Sequence, residues 1–101
     1  MEQNIQNTMI LQVTYELKDP DKNYSDLFAA IEKLGSAIHF LKDSWWVEVD
    51  DSLKLEDVLG RLKDHMGEND LIHLIDITNK KTNGWLARTS WDWLQQRSNI
   101  S

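Results

Sequence analysis

From Met9 to Leu17 apolar and polar side chains alternate. Leu11, Val13, Tyr15 and Leu17 fall on one phase, and Gln12, Thr14 and Glu16 on the other. A period of two is that of a strand with one buried face. Lys18 to Asn23 then break the pattern, with Pro20 ending strand pairing and Asp19, Asp21 and Asn23 favouring local turns. Next the spacing changes: Tyr24, Leu27, Phe28, Ile31 and Leu34 recur at three and four, which predicts an amphipathic helix with Asn23 as its cap and Gly35 just past its end. Ser36–Leu41 and Ser44–Asp50 read as two strands of a hairpin turning at Lys42-Asp43. In the second of these, Trp45, Val47 and Val49 take the core phase, which leaves Trp46, Glu48 and Asp50 on the other. Leu55, Val58, Leu59, Leu62 and Met66 form the stripe of a second helix stopped by Gly67, and Leu71–Ile77 is the fourth strand. Gly60 inside that helix is read as a point of close backbone packing.

The order strand, helix, strand, strand, helix, strand predicts an α+β fold of the ferredoxin-like βαββαβ kind, with two helices on one face of a four-stranded antiparallel sheet. Its domain occupies residues 9–77, preceded by a polar leader over 1–8 that is expected to be disordered and dispensable. Residues 78–101 form a polar connector and a short helix over Ser90–Arg97, capped by Ser90 or Thr89. One or two turns are not stable alone in water. Trp85, Leu86, Trp91, Trp93 and Leu94 are therefore expected to bury against the domain's uncovered face or against a second subunit.

Composition narrows the function. The chain has 101 residues and no cysteine, so disulfides and cysteine-bound zinc are excluded. No apolar run nears the roughly 18 residues of a membrane span, and no basic-then-apolar segment opens the sequence, so a cytoplasmic protein with no membrane contact is expected. Residues 1–77 carry 7 Lys/Arg against 16 Asp/Glu, a net of −9, while residues 78–101 carry 4 against 1, a net of +3. An acidic body repels phosphates. Nucleic acid, if bound at all, would meet the basic C-terminal segment, and docking of that segment on an acidic protein surface is the favoured reading.

Several short words carry a resemblance: Ile10–Leu17 with Lys18-Asp19-Pro20, Tyr24-Ser25-Asp26-Leu27, Ile31-Glu32-Lys33-Leu34-Gly35, Ser44-Trp45-Trp46-Val47, Leu62-Lys63-Asp64-His65 and Asn69-Asp70-Leu71. Together they resemble the SinR-like proteins. These belong to the superfamily of the small ferredoxin-like CRISPR-associated endoribonuclease and integration subunit, with the VapD-type toxin ribonucleases as cousins. The likeness spans most of residues 9–97. It implies a homodimer, and a defence or anti-defence setting. It also implies an acidic residue late in the first strand, meeting its dimer mate to hold Mg²⁺ or Mn²⁺ for phosphodiester cleavage. The matching word here is Tyr15-Glu16-Leu17, where the family has Tyr-Asp-apolar. Glu keeps the charge but its extra methylene moves the oxygens, which matters for a strict octahedral ion.

Glu16 is thus the candidate catalytic residue, and Glu16 with Glu48, on outward phases of adjacent strands, the candidate metal ligands. The alternative is two solvated sheet-face charges. His39 and His73 are read as hydrogen-bonded bystanders, and His65 as a partner of the second helix's C-terminal dipole. Asp19-x-Asp21-x-Asn23 opens like a calcium loop but has Tyr24 and Ala30 where that loop needs glycine and a closing Glu. Trp46 should stand on the uncovered face, as an interface residue with Trp85, Trp91, Trp93 and Leu94 or as a base-stacking platform; its acidic neighbours favour protein contact. Three readings follow. The preferred one is a dimeric interaction module that requires no cofactor. The second is a nuclease using Mg²⁺ or Mn²⁺ at paired Glu16 carboxylates. The third is a dimer binding a small molecule on the open sheet face.

Overall fold

A computed structural model describes residues 7–97. The alternating first segment becomes β1 (Thr8–Glu16), followed by α1 (Ser25–Leu34), β2 (Ser36–Leu41), β3 (Ser44–Asp50), α2 (Leu55–Lys63), β4 (Leu71–Asp76) and α3 (Arg88–Arg97). The four strands form one antiparallel sheet in the order β2-β3-β1-β4. Over the described residues the fold is therefore α+β, a four-stranded antiparallel sheet with three helices. Thr8, which the sequence assigns to the leader, pairs with Asp50, and the Asn7 carbonyl accepts a bond from the Asp51 N–H at 2.9 Å. The rest of the expected leader lies outside the described residues.

Period-two patterning decides which side chains meet. Met9, Leu11, Val13 and Tyr15 from β1 and Trp45, Val47 and Val49 from β3 share one face, where Leu27 and Ile31 of α1 and Val58 and Leu62 of α2 close over them. Gly35 follows α1 with φ 162° and ψ −164°, an extended conformation rather than the left-handed cap expected of it. Its requirement is space, since a Cβ there would lie 1.9 Å from the Glu48 carbonyl oxygen on β3. Gly60 is the reverse case. It sits on the exposed side of α2, a Cβ would meet nothing within 4 Å, and the close packing expected at this glycine is absent. α2 also ends at Lys63, earlier than its apolar stripe suggested, because residues 64–66 tighten into turns; His65 donates its backbone N–H to the Leu62 carbonyl at 3.1 Å.

The second face is built by the tail. Ile10, Trp46 and Ile77 are buried beneath it, with Ile38 and Phe40 of β2 and Leu86, Trp91, Trp93 and Leu94 packed around them. α3 starts at Arg88, two residues before the expected Ser90, and Ser90 lies inside the helix as a buried residue. Trp46 therefore is not an open-face residue. It is 3% exposed, stacks on Phe40 at 3.9 Å, and packs near Trp91 and Trp93 with centroids 6.3 and 6.4 Å away. Its indole N–H donates to Gln12 Oε1 at 3.0 Å, which satisfies the one polar atom the ring buries. Among the described residues no helix is long and apolar enough to cross a membrane.

Candidate functional site

α3 covers the sheet's second face at the end where Ile10 and Trp46 lie, and leaves the other end bare. There β1 and β4 run side by side, pairing Thr14 with His73 and Glu16 with Leu71. Directly paired residues project to the same side of a sheet. Thr14, Glu16, Leu71 and His73 consequently share the α3 side with Trp46. With Asp43 from the β2–β3 turn, and with Tyr15 and Ile72 of the opposite phase, they line an open groove of about 580 Å³ at this end of the sheet. β4 is an edge strand, and its Leu71 and Ile75 are 56% and 44% exposed. Apolar residues on both phases of β4 were the signal in the sequence that this strand has two faces to cover.

Glu16 sits at the groove's rim, solvent-exposed, 3.1 Å from Lys18 Nζ. Such an exposed pair holds its geometry only weakly. Glu48 does not stand beside it. It pairs with Ile10, six strand positions before Glu16, which places the two backbones about 20 Å apart at the usual rise of a strand. The two carboxylates that the strand order was expected to bring together therefore do not share a cation within one chain. Glu48 serves the tail instead. Arg97 donates Nε–H to Glu48 Oε1 at 3.1 Å and Nη2–H to Ser36 Oγ at 2.8 Å, and its guanidinium lies 4.2 Å from the Trp93 ring centroid. Thr8 donates its hydroxyl to the other Glu48 oxygen at 3.2 Å. Among the described residues no three His, Asp or Glu side chains gather closely enough to hold a metal ion.

Of the imidazoles, His73 lines the groove. His39 stacks on Trp45 with centroids 4.3 Å apart and planes 10° from parallel. Its Nε2 is 2.8 Å from the Lys42 carbonyl, which can only accept, so Nε2 carries the proton. The same nitrogen is 3.3 Å from the Tyr15 hydroxyl, which also accepts the Trp45 indole N–H at 2.9 Å. Burial pushes the Tyr15 phenol above its ordinary range and the Asp43 charge adds to this, while the Trp45 bond pulls back. Tyr15 thus stays a neutral phenol at physiological pH and braces the hairpin against β1.

Trp85 is 99% exposed, so of the two coverings expected for the tail's rings it does not take the chain's own sheet face. Its neighbour Leu86 packs into the second core while the Trp85 ring points into solvent. The adjacency Trp85-Leu86 was the available signal. Lys80, Lys81 and Arg88 flank it, all exposed, and none forms an ion pair among the described residues. Comparison of the chain with models of protein families, with curated proteins and with solved structures found no match.

Proposed function

We propose that the protein is a small homodimeric interaction module on a ferredoxin-like βαββαβ frame, of the kind seen in CRISPR-associated nuclease-fold proteins, and that it works by binding rather than by turnover. The supporting observation is Trp85: a fully exposed indole on a connector anchored at both ends, by Ile77 and by Leu86. Trp is enriched among binding anchors, and a connector fixed at both ends loses little backbone freedom on docking. With α3 on the sheet's second face, the centre of that face is filled by the chain's own side chains. This counts against a small-molecule site there and moves the available surface to the connector and the β1–β4 end.

A metal-dependent endoribonuclease is the second reading, favoured by the exposed position of Glu16 on the groove rim. In that reading Glu16 from each of two chains would hold Mg²⁺ or Mn²⁺, and the ion would supply Lewis-acid stabilisation of the phosphate and activation of the attacking water. Two measurements separate the readings. Light scattering at tens of micromolar is expected to give a dimer, and a monomer would remove the proposal. Incubation of labelled RNA and DNA with either ion is expected to give no robust cleavage. Turnover that needs the ion and is lost in Glu16→Gln, which keeps shape without charge, would establish the nuclease instead.

A further inference from the structure

On the α3 side of the sheet two exposed features lack an occupant, and each supplies what the other needs. One is the connector, with the bare Trp85 ring flanked by Lys80, Lys81 and Arg88. The other is the β1–β4 groove, with Leu71 and His73 in its wall and Glu16 and Asp43 at its rim. The connector leaves the sheet at the end opposite the groove: β4 runs from Leu71, beside Glu16, to Asp76, beside Leu11. Within one chain Trp85 does not enter the groove, since its ring is fully solvated.

We propose that Trp85 of one copy seats in the β1–β4 groove of a second copy, and reciprocally. This deepens the dimeric reading above and rests on it. Two chains laid face to face with their strands antiparallel bring each connector to its partner's groove, and the two-fold axis repeats the contact. Burying an indole takes about 150–250 Å² from water on its own side. Two such insertions, with the groove walls and the cationic flanks, approach the roughly 1,000 Å² of a specific interface. Charges agree as well: connector lysines meet Glu16 and Asp43, and the exposed Lys18–Glu16 pair is weak enough to open. A bare indole among cations is also the composition of a platform for single-stranded nucleic acid. The net charge of −6 and the carboxylates on the same face favour the acidic protein groove.

The full chain is tested by sedimentation equilibrium at low and high salt. Wild type is expected to dimerise, less tightly as salt rises. Trp85→Ala and Leu71→Arg are each expected to weaken association roughly tenfold or more. The decisive arm mixes these two variants. They are expected to bind each other more tightly than either binds itself, because the Leu71→Arg copy offers an intact Trp85 to the Trp85→Ala copy's intact groove. At concentrations where both are monomeric, Trp85→Ala should melt as wild type does; if Leu71→Arg fails to fold, Lys80→Glu with Lys81→Glu takes its place and is expected to weaken association likewise. A wild-type dimer unaffected by all these changes overturns the docking and leaves the dimeric reading standing. A wild-type monomer overturns both. Binding of labelled oligothymidine by monomeric chain, lost in Trp85→Ala, overturns the second-copy occupant in favour of nucleic acid.

Discussion

Two glycines show how a residue legible in sequence can be present for a reason that is not. Gly35 follows a helix, where glycine usually supplies a left-handed turn, yet its backbone is extended and open to any residue. What demands glycine is the Glu48 carbonyl, 1.9 Å from where a Cβ would sit. That neighbour is main chain in the middle of the sheet and cannot step aside. Gly35→Ala is expected to cost about 3 kcal/mol, the upper end of overpacking penalties, seen as a lower urea midpoint at unchanged slope. Gly60 looked like a packing contact because a mid-helix glycine is costly, but space around it is open. Gly60→Ala is accordingly expected to stabilise by up to about 1 kcal/mol. A destabilised Gly60→Ala, or a neutral Gly35→Ala, would mean these distances mislead. Sequence marks both positions and cannot tell them apart, because the difference lies in a strand 13 residues downstream of Gly35 and 12 upstream of Gly60.

Elements were the most legible level: β2 and β3 fall at the expected residues, and no other boundary differs by more than three positions. Hidden from the sequence were the bonds that hold one element's end to another's. Asp70, in the turn before β4, accepts the backbone N–H groups of Lys18 and Gly67, both at 2.7 Å, and the Tyr24 hydroxyl at 2.9 Å. One carboxylate so ties the loop after β1, the start of α1 and the end of α2. Partial burial alone would raise the Asp70 carboxyl, but those N–H and O–H donors hold it below the usual carboxylate range. The unfolded chain then binds this proton more readily than the folded one. Its contribution is complete above the unfolded value of about 3.9, erodes as pH falls below it, and is gone below the folded value. Asp70→Ala is expected to lose about 1–2 kcal/mol at pH 7. The gap to wild type should narrow in urea titrations taken from pH 5 down to pH 2, and a gap that stays constant would show that the Asp70 charge is not what stitches these ends.

At the scale of the molecule, one sheet carries two cores of unequal build. The first is closed by two helices and includes eleven buried side chains, several with no exposed surface at all. The second has three buried side chains and a rim of half-buried rings, held by one helix whose polar attachment is the Arg97–Glu48–Ser36 cluster. Hydrophobic patterning announced both, since Trp45 and Trp46 are adjacent and must face opposite ways. Which surface the tail would cover was open in sequence, because docking on its own sheet and docking on a second subunit bury the same rings. The asymmetry carries a prediction. A chain ending after Thr82 loses α3 and Leu86 while every residue of the first core remains. Uncovering Trp46, Ile10 and Phe40 should cost about 3–5 kcal/mol, comparable to deleting one large core side chain. The melting temperature should drop by on the order of 15 °C for a domain of this size. The truncated chain should still unfold in one cooperative step, because β1 and β3 belong to both cores and the larger one is untouched. It should bind a hydrophobic dye that the full chain does not, through the surface α3 had covered. An unchanged melting temperature after truncation would mean that α3 does not dock on this face in solution. Complete loss of cooperative unfolding would mean that the first core cannot stand without the second.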